Sequence, residues 1–439
     1  MTEKIIKKDG ALRFHVINTD KFKMSRLSFN FILPADKEKS PLTRIMLAVM
    51  MRGCEKYPSI VSINKRLDEL YGATVSWRAV SVGERHIFRI SCEILSNKYR
   101  LPEDKTDILY EVAKVILEIL FNPRLDENGL LPESNFESEK KLAIDAIRSK
   151  INDQKAYSAE QCRRIMLEGS PAGISVEGSE EQIEGFTLEQ VSENIQYFLN
   201  NSALECYYIG SDDADAVVSL VTDAFSKLNR SEIVLLGEEK ALIREENSSI
   251  RETTKKMNVS QGRLNIGYTC GVVMSDEDYP AMNLFNEIFG GSSVAKLFIN
   301  VREKQSLCYY CYSSYHSATG TVMIGCGIKP ENREKAYAEI EKQLISMQSG
   351  DFADEEIETA KRTIISGARQ IYDNPSALEA FDFRRILAGV SETSEELIEK
   401  IKTVTREDVV KMAKKVRIDT VYFLYGDGEE DGEEECDDE

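Results

Sequence analysis

Apolar positions along the chain recur with two periods, and the two periods alternate in the same order twice. In RLDELYGATVSWRAVSVGERHIFRISCEIL (66–95) a helix end gives way to two stretches rich in β-branched and aromatic residues, parted by a turn. Polar SNKYRLPEDK follows, then TDILYEVAKVILEIL, whose apolar residues fall on a helical period. The second half repeats the sequence of elements. NVREKQSLCYYCYSSYHSATGTVMIGCGI (300–328) is helix end, strand, turn and strand, polar KPENRE follows, and KAYAEIEKQLISM is a long helix. Each half therefore predicts an αββα unit, which buries its apolar surface as a mostly antiparallel sheet with helices packed on one face. The fold class expected is α+β, with two homologous domains related by internal duplication.

Further helical periods cover 40–52, 133–149, 154–168, 186–199, 213–227, 276–288, 353–373, 375–388 and 405–415. Two apolar strands, ALECYYIG (203–210) and TVYFLY (420–425), come late in the two halves. Between the halves, residues 231–256 are charged and lack a strong period, which predicts a linker. The expected organisation is an N-terminal domain over 1–230, the linker over 231–256, a C-terminal domain over 257–425 and a tail over 426–439.

Length agrees with that division, because 439 residues exceed one ordinary core and suit two domains. No apolar run reaches the length of a membrane span, and the first residues lack the apolar centre of a signal peptide, so a cytoplasmic location is expected. The formal charge is −19, and the tail alone carries ten acidic and no basic residues, which leaves the rest near −9. No basic patch stands out, which argues against nucleic-acid binding. The tail composition predicts a disordered, solubilising end. Nine scattered cysteines suit reduced thiols rather than a disulfide framework. Cys308 and Cys311 form a CxxC, but in a regular strand their side chains would point to opposite faces.

The most specific segment is FGGSSVAKLFINVREKQSLCYY (289–310). Gly290-Gly291 predicts a turn through positive φ, and Ser292 or Ser293 a helix cap. Val294, Leu297, Phe298 and Val301 give one apolar helix face, Arg302 ends the helix, and Tyr309 follows on a strand. This segment resembles the second domain of the pitrilysin/insulinase superfamily of metallopeptidases. In that family a helix-terminal Arg and a Tyr seven residues later hold the substrate carbonyl across the cleft from a zinc site. The resemblance implies a substrate-binding role for Arg302 and Tyr309. It extends over nearly the whole chain, from about residue 10 to 425, and implies two homologous α/β domains closing on a cleft.

Active members of the family carry HxxEH on an early helix, where two histidines one turn apart bind zinc and the intervening Glu serves as general base. The stretch MRGCEKYP (51–58) resembles the residues that follow this motif and sets the register. Arg44 then stands at the first His, Leu47 at the Glu and Ala48 at the second His. A third ligand comes from a later helix, matched by FESEKKLAIDAIRSKIND, where Ala146 occupies the ligand position. Glu139 matches a second Glu seven residues earlier, a retained position beside the lost site. Asp145, one step from Ala146, would need a register slip to serve. The histidines His15, His86 and His316 are far apart in sequence and form no ligand pair at helical spacing. No nucleophile elbow, phosphate loop or dinucleotide fingerprint is present.

The resemblance is thus to a non-catalytic bacterial member, with no metal and no catalytic residue expected. It implies a subunit that binds extended peptide and pairs with an active pitrilysin-like paralogue as a heterodimer, or with itself as a homodimer. No nucleic-acid or membrane partner is expected. The alternatives are a zinc endopeptidase with a divergent site and a stand-alone peptide-binding or scaffold protein. Met46, Met50 and Met51 read as filler for the space a metal site would occupy, and Trp77 as core or edge packing.

Overall fold

The computed structural model describes residues 3–9, 12–228, 230, 239–243 and 249–426. Two sheets form. The first contains β1 (Glu3–Asp9), β2 (Leu12–Asn18), β3 (Met24–Pro34), β4 (Thr74–Val82), β5 (Arg85–Leu95) and β6 (Ala203–Gly210), in the order β1-β2-β6-β3-β5-β4. Its pairs are antiparallel except β2 with β6. The second contains β7 (Arg251–Lys256), β8 (Gly262–Thr269), β9 (Cys308–His316), β10 (Thr321–Ile328) and β11 (Arg417–Tyr425), in the order β7-β11-β8-β10-β9. Here only β7 with β11 is parallel. The strand-turn-strand units read from the sequence are the hairpins β4–β5 and β9–β10.

The helices of the N-terminal half are α1 (Lys39–Met50), α2 (Ile60–Glu69), α3 (Ile108–Phe121), α4 (Glu133–Ser149), α5 (Gln154–Met166), α6 (Glu180–Gly185), α7 (Leu188–Asn201) and α8 (Asp215–Ser226). Those of the C-terminal half are α9 (Tyr279–Asn286), α10 (Arg333–Ser349), α11 (Asp354–Gln370), α12 (Pro375–Leu387), α13 (Ser394–Thr403) and α14 (Arg406–Lys415). The helices α6 and α13 lie outside the helical periods read from the sequence. Their capping boxes, Ser179 with Gln182 and Thr393 with Glu396, do announce them. The same device starts α7 and α14, so the late strands β6 and β11 each follow two capped helices.

Contacts divide the chain into two compact units, but not at a single cut through 231–256. One unit takes the described residues of Met1–Arg148, Ile174–Gly237 and Gln370–Leu387. The other takes Ser149–Gly173 and the described residues of Glu238–Arg369 and Ala388–Glu439. Each half of the sequence therefore gives a helix to the other unit: α5 joins the second sheet and α12 joins the first. The expected linker is also shorter than 231–256, because its end, Arg251–Lys256, is strand β7. Exposed polar residues make up most of β7, so no hydrophobic alternation marks it. Residues 231–238 and 244–248 of the linker and the acidic tail from 427 lie outside the described residues.

In the first unit Leu27, Phe29, Phe31 and Leu33 alternate onto one face of β3 and join a buried core with α1, α3, α7 and α8. The intervening Arg26, Ser28 and Asn30 point to the other face, where α12 supplies Glu379. Glu379 is fully buried. It is ion-paired with Arg26 and lies 3.4 Å from Arg89 Nε. Ser28 Oγ donates to it at 2.7 Å and Asn30 Nδ2 at 3.1 Å. Burial alone would raise the Glu379 carboxyl, but the charges of Arg89 and Arg26 and these hydrogen bonds leave it lowered. So the one-face packing expected of each sheet is supplemented by a helix on the reverse face.

In the second unit β8 and β10 pack Leu264, Ile266, Tyr268, Val322 and Ile324 with α9, α10 and α14. The reverse face takes α5, whose Cys162 and Met166 pack with Met323, Tyr422 and Leu424. A Cβ on Gly267 would lie 2.7 Å from the Met166 sulfur, so this glycine makes room for the incoming helix. Among the described residues no helix is long and apolar enough to cross a membrane.

Candidate functional site

Helix α1 is apolar on nearly every side, as befits a helix enclosed by its unit. From Ser40 to Met50 only Arg44 is partly exposed. Leu47 is 0% exposed and Ala48 is buried; Met46 and Met50 are buried in the same core. Asn194 of α7 donates to Thr43 Oγ1 at 2.9 Å, which ties α1 to its neighbour. On α4, Glu139 is partly buried and ion-paired with Arg52, just beyond the end of α1. Ala146 and Asp145 lie further along α4, both exposed.

This set does not fit a zinc ion. Zinc takes imidazole, thiolate or carboxylate donors. The α1 positions offer a guanidinium, an isobutyl group and a methyl group, and the one nearby carboxylate of the set is engaged by Arg52. The histidines do not compensate. His15 lies in β2 against Glu205, with Nε2 to Oε2 2.6 Å. His86 lies in β5 with Nε2 3.1 Å from Ile174 O, and His316 ends β9. Among the described residues no three His, Cys, Asp or Glu side chains are grouped to hold a metal.

The glycine-rich segment is built differently from its sequence reading. Gly290 and Gly291 belong to a π-helical turn, Glu287–Gly291, that continues α9, and neither has positive φ. Gly290 is required by close approach instead: a Cβ there would lie 2.7 Å from Ser313 N on β9. The next helical segment starts late and has no side-chain cap, so Val294 is 56% exposed while Leu297 and Val301 are buried. This segment, Phe298–Lys304, is also π-helical and carries Arg302 near its end. The Arg302 guanidinium stacks over Phe298 at 4.6 Å, and its Nε is 3.7 Å from Glu303 Oε1. Ser306 turns the chain with φ 52° into β9.

Tyr309 occupies a special place in that strand. Tyr310 pairs with Gly327 and Cys308 with the next residue, Ile328, so Tyr309 is the extra residue of a β-bulge. It is 55% exposed. Strand β9 is the outer strand of its sheet and pairs with β10 alone among the described strands. The bulge also corrects the expectation for CxxC. It returns Cys308 to the face of Cys311, where both join the core cluster with Cys326, the direct cross-strand partner of Cys311. On the opposite face Gly325 and Gly327 leave room for the rings of Tyr312 and Tyr310, with Lys155 Nζ of α5 4.8 and 4.6 Å from their centres. The pattern YYCY facing IGCG held this information, but only with the register known. Trp77, on the outer strand β4, is partly buried against the first core.

Comparison with known proteins agrees with this geometry. The family described as "Peptidase M16 inactive domain" matches residues 185–364. A Bacillus subtilis protein named "Probable inactive metalloprotease YmfF" is 32% identical over 95% of this chain and 97% of its own. The "Uncharacterized zinc protease YmxG" of the same organism is 22% identical over 69% of this chain and 71% of its own. Among solved structures, a conserved protein from Enterococcus faecalis has a TM-score of 0.87 at 26% identity, covering 98% of this chain and 100% of that one. The peptidase M16 inactive domain from Pseudomonas fluorescens has a TM-score of 0.78 at 16% identity, covering 97% and 98%, a likeness of fold.

Proposed function

We propose that this chain, which belongs to the M16 (pitrilysin) peptidase family as a non-catalytic member, binds extended peptide and pairs with an active zinc-bearing relative. The observation that carries the reading is an asymmetry of loss. The metal positions hold Arg44, Leu47, Ala48 and Ala146, two of them buried as ordinary core. Arg302 and Tyr309 match the family's pair and are both well exposed, the Arg302 side chain by 41% and Tyr309 by 55%. Solvent-exposed groups that do not stabilise a fold are retained more readily for binding than for packing.

The setting suits an extended ligand. An outer strand presents unpaired backbone donors and acceptors to which a peptide can add as a further strand, with side-chain pockets giving selectivity. In β9 the bulge interrupts that edge and leaves Tyr309 exposed, and a guanidinium and a phenol are groups suited to grip a peptide carbonyl. The existence of a zinc-protease relative beside an inactive one in Bacillus subtilis supports pairing of two unlike chains.

Co-expression with the zinc-bearing relative from the same genome tests the reading. Light scattering should give the mass of a one-to-one complex, and metal analysis should place the zinc in the partner alone. A chain that stays monomeric overturns the pairing. Stoichiometric, chelator-sensitive zinc in the isolated chain overturns the non-catalytic assignment.

A further inference from the structure

We propose that Cys308, Cys311 and Cys326 form a hydroperoxide-reactive thiol site, in which Cys308 is oxidised first and a disulfide then closes within the trio. Peptide binding and the partner play no part in the argument.

Three observations converge. The first is placement. The bulge at Tyr309 brings Cys308 onto the face that carries Cys311 and Cys326, and the latter two stand directly opposite across β9 and β10. Directly opposed residues of an antiparallel pair have Cα atoms about 4.5–5.5 Å apart, within the range a disulfide spans. The second is access. Cys308 is partly exposed, whereas Cys54, Cys92, Cys162, Cys206, Cys270, Cys311 and Cys326 are all buried. One thiol of the trio can meet a solute while two wait behind it.

The third is charge. The neighbouring Cys311 and then Cys326 thiols lower the Cys308 pKa; burial opposes them, and the Arg302 charge adds to the lowering. Cys92, Cys162 and Cys270 show the contrast, each pushed up to about 12, chiefly by burial. Reactive cysteines are partly exposed thiolates beside a cation, and inert ones are buried thiols.

The chemistry balances with one hydroperoxide. The Cys308 thiolate attacks the O–O bond; an S–O bond forms, O–O breaks, and the departing oxygen takes up a proton as water or an alcohol. Sulfur is oxidised by two electrons and the peroxide reduced by two. A neighbouring thiol then gives up its proton and attacks the Cys308 sulfur. The S–S bond forms, S–O breaks, and hydroxide leaves with that proton as water. Where that neighbour is Cys326, Cys311 can exchange into the bond and release Cys308, whose low pKa makes it the better leaving group.

The test treats the full chain with hydrogen peroxide in a Cys436→Ser background, which removes the cysteine outside the described residues. Peptide mass mapping under alkylation then follows each thiol. The expected result is loss of two thiols from the trio as one intrachain disulfide, reversed by dithiothreitol, with Cys54 and Cys92 unreacted. Cys308→Ser should slow disulfide formation about tenfold or more, and Arg302→Gln several-fold. In Cys311→Ser/Cys326→Ser, Cys308 should instead accumulate as a dimedone-trapped sulfenic acid, which keeps the test readable if one single variant folds poorly. Reaction of Cys308 no faster than Cys54, or oxidation of the wild type without a disulfide in the trio, overturns the proposal.

Discussion

Arg52, just beyond the end of α1, is ion-paired with Glu139 on α4. The pair ties α4 to the end of α1, the two helices that the resemblance matches to the metal-binding ones. It gives Glu139, a residue matched to the family by sequence, a structural partner in this chain. The side chains are 32% and 17% exposed, so solvent screens part of the attraction. Arg52→Ala should cost about 0.5–1 kcal/mol in urea denaturation, with the loss shrinking in added salt.

Leu47, which the family resemblance matches to the catalytic Glu of active members, is core in this chain. It is 0% exposed and belongs to the first unit's main cluster. Leu47→Ala should destabilise by about 2–5 kcal/mol through lost burial and a residual cavity. Thermal or chemical denaturation reads this directly. A change under about 0.5 kcal/mol, the range of ordinary surface sites, would contradict the packing role.

Arg302 and Tyr309 should behave in the opposite way. Arg302→Ala and Tyr309→Phe should leave stability within about 0.5 kcal/mol of wild type, as surface substitutions do. Each should weaken binding of an unstructured peptide by the complex with the active partner about tenfold, or about 1.4 kcal/mol. Fluorescence anisotropy with a labelled peptide measures it, and unchanged affinity in both variants would remove the pair from the binding surface.

The buried network around Glu379 makes a pH prediction. Its carboxyl titrates below its ordinary value of 4.5 in the folded chain. A lowered carboxylate contributes stability above the unfolded value, and that contribution is lost as pH falls through the folded one. The stability gap between wild type and Glu379→Gln should therefore be largest near neutrality and close progressively below about pH 4.5. Glu379→Ala, which strands Arg26 and Arg89 on a dry sheet face, should cost about 3–5 kcal/mol at neutral pH.

Gly327 offers a steric test of the β9–β10 register. A Cβ there would run into the Tyr310 ring. Gly327→Ala should cost about 1–3 kcal/mol by overpacking. Gly327→Ala combined with Tyr310→Ala should recover part of that loss, seen as a thermal midpoint closer to Tyr310→Ala than additivity predicts.

Much of the architecture was legible because it is written in local periods. Apolar spacing marks α4 over Glu133–Ser149 and β6 over Ala203–Gly210 where the structure has them, and the repeated αββα order reveals the duplication. Glycines proved harder to read. Gly290 looked like a positive-φ turn but serves contact with Ser313, which sequence does not show to be adjacent.

The sequence by itself determined the family resemblance, and no fold can make zinc donors of the side chains of Arg44, Leu47, Ala48 and Ala146 that the resemblance matches to the metal site. Tertiary structure decided the rest through pairing and packing between distant segments. It gave α5 and α12 to sheets of the opposite halves, because an apolar helix face does not record which sheet it will cover. It also placed the bulge at Tyr309. One unpaired residue there reverses the side-chain alternation beyond it, so Cys308 comes to the face of Cys311 and Cys326 and Tyr309 turns to solvent. No count along a single strand could anticipate that, because a register belongs to two strands at once.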